Sequence, residues 1–336
     1  MTFDERARAL EPLGFSPVQT RFLVTVAIHS GFCLRRHYTR FAGLKYGQGV
    51  RDFLDRLVAR RLARRTRFRP DRGHVYHLYA SSIYAAICQD DNRNRRRTSP
   101  ALVARKLMLL DFVLSEPAAD WYATEHDKVA LFTGRFGIAA RNLPQRIYVG
   151  RRRAQTIRSF VHKMPIFLTS DPPVVSFVFL VTDLSGVAFG QFLNDHLRLL
   201  SHLQEWRIVL VAPQHIPGIP ACDNTLHRLL GALRKPRRQD EVDRLRTYFT
   251  VRDLAERSQV TKITAAQIDE YHRLRPRFTA PQFEGLFRQW QIEGDSALGH
   301  QSAAALLTAV LTGHGRLISH RLPIRYDRFG SRPGVS

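Results

Sequence analysis

The residues best placed for catalysis are three carboxylates that flank two hydrophobic segments. Asp171 precedes the segment 174–181, Asp183 follows it, and Glu205 precedes the segment 207–213. Carboxylates that converge at strand ends hold Mg²⁺ in DNA-cleaving enzymes. In a restriction-endonuclease-like core the strand after the first aspartate also carries Glu-x-Lys, and the segment 174–181 has no such pair. We therefore predict no catalytic residue, and we retain a metal-dependent nuclease of that fold as an alternative.

Other patterns that bind cofactors or metals are missing from the sequence. It has no phosphate-binding loop of the Gly-x-x-x-x-Gly-Lys type, no Gly-x-Gly-x-x-Gly after a strand, and no nucleophile elbow. Cys33, Cys88 and Cys222 are far apart, which indicates neither a zinc finger nor a disulfide framework. We expect no cofactor and no bound metal, and a binding protein rather than an enzyme.

A second group of functional residues is mostly basic and lies largely between residues 45 and 72. Guanidinium and ammonium groups bind phosphates, while Gln, Arg and Asp side chains hydrogen-bond to base edges. The residues expected to read bases are Gln48, Arg51, Asp52 and Asp55. The residues expected to hold phosphates are Lys45, Tyr46, Arg64, Arg65, Arg67, Arg69 and Arg72, with Arg95, Arg96 and Arg97 further along the chain.

Three helices and a β-hairpin are predicted to position these residues. Ser16-Pro17 begins the first helix, 34–42 forms the second, and 49–62 has the apolar spacing of three and four that is typical of a third. The sequence Pro-Asp-Arg-Gly at 70–73 predicts the turn of the hairpin. This order is that of a winged helix-turn-helix, whose third helix enters the DNA major groove. Dimerisation and protein-docking modules have the same elements, with the arginines as a solvated face.

The charge of the whole chain favours a polyanionic partner. With 52 Lys and Arg against 29 Asp and Glu, the formal charge is +23, and nucleic acid is the usual ligand of so basic a protein. The expected partner is double-stranded DNA, with a homodimer or protein partners in a nucleoprotein complex in addition. No apolar segment is long enough for a membrane span and the N-terminus has no signal core, so we expect a cytoplasmic, nucleoid-associated protein.

The fold class expected for the chain is α/β, or α+β overall, in four parts. Residues 1–90 are predicted to form the winged helix-turn-helix domain, 91–100 a basic linker, 101–235 an α/β domain, and 236–336 a helical region with a basic tail. The α/β domain is predicted from a parallel strand-helix-strand crossover. Within the helical region, residues 254–268 have the spacing of a second helix-turn-helix, a question that the sequence leaves open.

The pattern of residues 15–215 resembles a known family. The amphipathic third helix that runs into the basic segment 57–65 is similar to the winged-helix part of replication-relaxation proteins, which bacterial plasmids and integrative elements encode. The α/β part is similar in layout to the nuclease-like core of that family, although this chain lacks its acidic-acidic-lysine set. The resemblance implies a non-enzymatic DNA-binding protein of a bacterial mobile element, acting in transcription control or in replication and maintenance. A DNA-binding subunit of a larger nucleoprotein complex is the remaining alternative.

Overall fold

The computed structural model describes residues 1–67, 73–149, 155–161, 163–169, 173–233, 239–279, 281–298 and 308–326. The fold is mixed α/β, as predicted. The chain forms two compact units, and both are discontinuous in sequence. Unit 1 contains Met1–Ala123, Val211–Ile216 and the segment from His320, while unit 2 contains Thr124–Leu210 and Pro217–Ser319.

The N-terminal part of unit 1 alternates helices with short strands. In chain order its elements are α1 (Phe3–Ala9), α2 (Pro17–His29), β1 (Phe32–Cys33), α3 (Arg35–Ala42), α4 (Gln48–Ala59), β2 (Ala63–Arg67), β3 (His74–Leu78), α5 (Ser81–Ala86), α6 (Pro100–Val113) and β4 (Asp120–Tyr122). Helix α4 ends three residues earlier than predicted, because Arg61 adopts a φ of 56° and turns the chain into β2.

An antiparallel sheet with the strand order β1-β3-β2 accompanies these helices. The register pairs Arg65 with Tyr76 and Arg67 with His74, so the two arms of the predicted hairpin are confirmed. The turn predicted at 70–73 lies largely outside the described residues, which resume at Gly73. Because successive side chains of a strand point to opposite faces, Arg65 and Arg67 lie on the same side of the sheet.

Three buried aromatic rings join the helices of this unit. The Tyr38 ring of α3 lies 4.3 Å from the Phe53 ring of α4 and 5.1 Å from the Phe22 ring of α2. All three side chains are buried. Burying an aromatic side chain contributes about 2–3 kcal/mol each, so the exposed side of α4 is fixed by what its buried side contacts.

The segment predicted as a linker belongs to unit 1 and is packed against helix α2. The Asn94 side-chain amide donates to the carbonyls of Ala27 and Ile28 at the C-terminal end of α2, both at 2.9 Å. These carbonyls have no partner within the helix, so Asn94 caps it. A Cβ added to Gly31, which has a φ of 75°, would stand 2.3 Å from the Asn94 carbonyl oxygen. The backbones approach this closely because residue 31 is glycine.

A buried carboxylate connects three distant segments of unit 1. Asp111 on α6 accepts hydrogen bonds from Arg36 Nη2 at 2.6 Å and from the Tyr326 hydroxyl at 2.5 Å. His37 Nε2 lies 3.0 Å from its other oxygen. Burial opposes the charge of Asp111, but the contacts with His37 and Arg36 outweigh it and hold the carboxyl pKa well below its usual range. The orientation of α3 therefore depends on α6 and on the C-terminal segment.

Unit 2 combines a hairpin, a larger sheet and helices. In chain order its elements are α7 (Glu125–Ala130), β5 (Gln145–Val149), β6 (Gln155–Ser159), β7 (Ile166–Thr169), β8 (Val174–Leu180), α8 (Val187–Ser201), β9 (Trp206–Pro213), α9 (Ile219–Leu233), α10 (Gln239–Glu256), α11 (Ala265–Phe278), α12 (Pro281–Glu293) and β10 (Gly315–Leu322). The last residues of β9 and β10 belong to unit 1. Four strands of the larger sheet lie in the order β10-β9-β8-β7. Strands β5 and β6 pair only with each other among the described strands.

The predicted crossover is present between β8 and β9, which are neighbours in the sheet. A Cβ on Gly218, just beyond β9, would stand 2.3 Å from the carbonyl oxygen of Asp183, just beyond β8. The carboxyl ends of both strands are therefore at the same edge, and the strands run parallel. The hydrophobic segments 174–181 and 207–213 owe their composition to burial in this sheet.

The prediction for the C-terminal part was wrong at residues 315–322, which form a strand rather than part of a helical region or an unstructured tail. The backbone N–H of Trp206 donates to the His314 carbonyl at 3.0 Å, and a Cβ on Gly315 would stand 2.3 Å from the Trp206 ring. The strand depends on this long-range fit and has no strong alternation of its own. Within the predicted helical region 236–336, the segments of α10, α11 and α12 are helical.

Unit 2 also contains a fully buried lysine. Lys128 on α7 is 1% exposed, and its Nζ donates to the Met164 carbonyl at 2.7 Å and lies 5.5 Å from the centre of the Phe160 ring. Burial lowers the pKa of this amine from 10.5 to about 7, against the opposing influence of Asp127 and Glu125. At pH 7 the ammonium and the neutral form of Lys128 are therefore about equally populated.

Candidate nucleic-acid interface

The exposed side of α4 begins at a free helix N-terminus. Gly47 precedes the helix without a side-chain hydrogen bond to it, so the first backbone N–H groups and the positive end of the helix dipole are available to an anion. Val50, Phe53, Leu54 and Leu57 form the buried side. The predicted contact residues Lys45, Tyr46, Gln48, Arg51, Asp52 and Asp55 are all exposed.

Tyr46 holds two arginines at the start of this helix. Arg35 Nη1 donates to the Tyr46 hydroxyl at 2.7 Å, and the Arg35 and Arg51 guanidinium carbons lie 5.5 and 5.8 Å from the centre of its ring. The tyrosine is nevertheless 54% exposed. Contact with the ring restricts both guanidinium groups in advance, so each arginine loses less freedom on binding a phosphate.

The arginines of β2 extend this cluster. Arg64, Arg65 and Arg67 are exposed, and Arg65 Nη1 donates to Asp55 of α4 at 3.2 Å. The pKa of His74, opposite Arg67, is lowered by burial and by the charges of Arg65, Arg35 and Arg67. Those three guanidinium groups are therefore close enough to act on one ring. We call the set Arg35, Tyr46, Arg51, Asp55, Arg65, Arg67 and His74 the α4–β2 face.

The other side of the β2–β3 hairpin carries a separate basic group. Arg64 is paired with His77 in the register, and the pKa of His77 is lowered by burial and by Lys106, Arg64 and Arg97, while its hydrogen bond to the Asn94 backbone raises it. Arg64 and Arg97 therefore both act on the His77 ring, whereas Arg65 and Arg67 act on His74. The structure divides the predicted phosphate contacts between the two sides of one hairpin.

Two predicted contact groups are placed differently or are not described. Arg96 is exposed, and Arg95 Nη1 donates to the Asp90 carbonyl at 3.1 Å, so this side chain is partly engaged in local structure. Arg69 and Arg72 lie outside the described residues.

The acidic residues of α4 have partners within the protein. Gln48 Nε2 donates to Asp52 at 2.6 Å, and Asp55 is paired with Arg65. Both contacts are exposed, so they cost little to exchange for contacts with base edges. A cytosine amino group is the donor that either carboxylate would accept from in the major groove.

Arg56 and Arg60 are turned away from the α4–β2 face, although the helical spacing puts them on the polar side with Arg51. Their guanidinium carbons lie 4.8 and 5.3 Å from the centre of the Phe15 ring. Arg56 also donates to Gln19 at 2.7 Å. Arg35, in contrast, belongs to the face and was missed by the sequence reasoning, where the only signal was its position at the start of the second predicted helix.

Of the carboxylates considered for catalysis, the two that the structure describes, Asp183 and Glu205, do not converge. Asp183 accepts hydrogen bonds from Ser185 N at 2.9 Å and Ser185 Oγ at 2.7 Å, in the turn before α8. Glu205 precedes β9 at the opposite edge of the sheet, where it is paired with Arg316 at 3.0 Å. Asp171 lies outside the described residues. Within the part of the chain that the structure describes, no group of three His, Cys, Asp or Glu side chains is arranged to hold a metal ion.

Residues 254–268, considered as a second helix-turn-helix, contain a long connection between two helices. Helices α10 and α11 are separated by the segment 257–264, in which Ser258 takes a φ of 58°. Val260 and Ile268, whose types fit the buried positions of the motif, are 55% and 37% exposed. DNA-binding helix pairs have a turn of three or four residues, so this pair does not match them.

Comparisons of the chain with protein-family models, with curated proteins and with solved structures found no match. Among the described residues, none of the helices has both the length and the apolar character needed to cross a bilayer. Inference about function therefore rests on the geometry of the α4–β2 face.

Proposed function

We propose that unit 1 contains a winged helix-turn-helix that binds double-stranded DNA. Its support is the order helix, strand, helix, helix, strand, strand over residues 17–78, with the three strands in one antiparallel sheet. In such a unit α4 enters the major groove, and the β2–β3 hairpin follows the phosphate backbone.

The observation that carries the proposal is the α4–β2 face. Arg35 and Arg51 contact Tyr46 at the N-terminus of α4, and Arg35, Arg65 and Arg67 act together on the ring of His74. Clustered like charges repel one another, and the binding of a polyanion relieves this repulsion. The formal charge of +23 on the whole chain also favours a negatively charged partner.

The predicted contacts of α4, of the turn before it and of β2 each have a role in this proposal. Gln48, Arg51, Asp52 and Asp55 contact base edges, because they lie on the exposed turns of α4. Lys45, Tyr46, Arg64, Arg65 and Arg67 contact phosphates. The protein acts without catalysis in the cytoplasm, at the nucleoid, and a homodimer or protein partners position it there. Action in transcription control or in the replication and maintenance of a bacterial mobile element follows from the family resemblance of the sequence.

The experiment compares the salt dependence of duplex binding for the wild type, Arg65→Gln/Arg67→Gln and Arg105→Gln. Arg105 is an exposed arginine of α6 and serves as the matched control. Each phosphate contact contributes about 0.9 to the slope of log K against log salt. The double variant is expected to lose about 2 units of slope and, at 0.1 M salt, roughly 60-fold in affinity. An unchanged slope, equal to that of Arg105→Gln, would contradict the proposal.

A second measurement separates base contacts from phosphate contacts. Selection of bound duplexes from a random pool is expected to yield a defined site for the wild type and a relaxed one for Arg51→Ala at one or two positions. A bidentate base contact discriminates by about 1–3 kcal/mol, which is roughly 5- to 150-fold in relative binding. A wild type that selects no site would show that α4 does not read sequence.

A further inference from the structure

A long acid-free segment of unit 2 surrounds the β5–β6 hairpin. Between residues 128 and 170 the sequence has nine Lys or Arg and no Asp or Glu. Lys128 is buried, which leaves eight: Arg135, Arg141, Arg146, Arg151, Arg152, Arg153, Arg158 and Lys163. An ordinary surface intersperses both signs of charge. So strong a bias in one segment indicates an anionic partner for this part of the protein.

The hairpin places two of these arginines side by side. In the register Arg146 of β5 faces Arg158 of β6, and Tyr148 faces Thr156. Facing residues of an antiparallel pair lie on the same side, and like charges in that position are destabilising. Acidic neighbours compensate only partly. Glu125 lies 3.7 Å from Arg158, with side chains that are 40% and 62% exposed, and Glu284 is near Arg146 on the other strand.

Apolar side chains are also exposed on the same ribbon. Tyr148 is 47% exposed and Ile157 is 57% exposed. A two-stranded ribbon is marginally stable alone, and exposed large apolar residues do not stabilise it. Cationic residues that alternate with an exposed aromatic ring match the surface of a nucleic acid, because the guanidinium groups bind phosphates while the ring packs on sugars and bases.

We propose that the β5–β6 hairpin is a second DNA-contacting element, in which Arg146 and Arg158 bind the phosphate backbone and Tyr148 packs against the nucleotide between them. A two-stranded ribbon has the width that a DNA groove accepts. The inference rests on the proposed function in one respect, since the ligand is the same duplex, but its residues belong to unit 2 and are independent of the α4–β2 face.

The test measures duplex binding against salt for the full-length chain carrying Arg158→Gln with Tyr148→Ser. Arg275→Gln, an exposed arginine of α11, is the matched control. Loss of one phosphate contact is expected to reduce the slope by about 0.9 and the affinity at 0.1 M salt about eightfold, with a further loss from the missing ring. An affinity and a slope equal to those of Arg275→Gln would overturn the inference.

Two further comparisons keep the outcomes distinct. If Arg65→Gln/Arg67→Gln weakens binding and the hairpin variant does not, the hairpin inference fails and the proposed function stands. If only the hairpin variant weakens binding, the hairpin inference is supported and the role proposed for α4 and β2 is contradicted. Photocrosslinking of the wild type to a duplex that contains 5-iododeoxyuridine needs no variant. Recovery of the tryptic peptide that carries Tyr148 supports the inference, and its absence among the crosslinked peptides overturns it.

Discussion

Replacement of Lys128 by methionine is expected to stabilise the protein at neutral pH. The variant keeps the length and the apolar stem of the side chain but removes the buried amine. Between pH 7 and 10.5 the unfolded chain holds a proton on Lys128 that the folded protein has released, because its pKa is lowered to about 7. A difference in bound protons of this sign means that the stability of the wild type rises with pH over that window.

The magnitude follows from the two pKa values. At pH 7 the lowered pKa, about 7 against 10.5, costs the wild type about 4 kcal/mol of folding free energy, and at pH 10 the cost falls to about 1 kcal/mol. The substitution also removes the hydrogen bond to the Met164 carbonyl, and a buried acceptor without a partner costs about 1–3 kcal/mol. We therefore expect Lys128→Met to be more stable than the wild type by about 1–3 kcal/mol at pH 7, and equally or less stable at pH 10.

Urea unfolding at pH 7, 8, 9 and 10, followed by circular dichroism, measures this difference. Lys262→Met, at an exposed position of unit 2, reports the effect of losing a surface charge. The difference in unfolding free energy between Lys128→Met and the wild type should decline steadily as the pH rises. A difference that stays constant over the four pH values would refute the reasoning, because it would mean that folding does not perturb the titration of Lys128.

Two substitutions in unit 1 test its long-range contacts. Gly31→Ala should destabilise the protein by about 1–3 kcal/mol in urea unfolding, because residue 31 has a φ of 75° and its Cβ would stand 2.3 Å from the Asn94 carbonyl oxygen; a neutral effect would show that the segment around Asn94 is not packed there. Asp111→Ala leaves Arg36 and Tyr326 without their buried acceptor, and we expect a loss of about 3–5 kcal/mol, measured by thermal and urea unfolding, with Asp91→Ala as the exposed control; equal losses in the two variants would contradict the network.

The elements that local pattern determines could be predicted from the sequence. Helix α4 was predictable because its buried residues recur every three or four positions, and the β2–β3 arms because Pro and Gly punctuate two short strands. The hydrophobic segments that became β8 and β9 were recognisable because both faces of a central parallel strand are buried. In each of these elements, neighbours in sequence carry the information that determines the fold.

The elements that depend on distant partners could not be predicted. Asn94 reads as one polar residue in a polar segment, and its function as the cap of α2 is set by residues 66 and 67 positions away. Strand β10 depends on the fit of Gly315 against Trp206. Neither contact changes the local hydrophobic pattern, so no periodicity reveals it.

The candidate site was predictable in composition but not in arrangement. Helical spacing alone cannot separate Arg51 from Arg56, because both are on the polar side of α4. Phe15, which lies in a different segment, draws Arg56 away from the α4–β2 face. Arg35 joins the face through the Tyr46 hydroxyl, and that pairing depends on how the turn before α4 folds back.

The contact between Asp111 and Tyr326 has a consequence for biosynthesis. The two residues are 215 positions apart, and a ribosome adds about 5–20 residues per second, so roughly 10–40 s pass between their appearance. During that interval the nascent chain contains Asp111, Arg36 and His37, but Tyr326 has not yet been added. The N-terminal unit is started first and finished last, after all of the second unit has been translated.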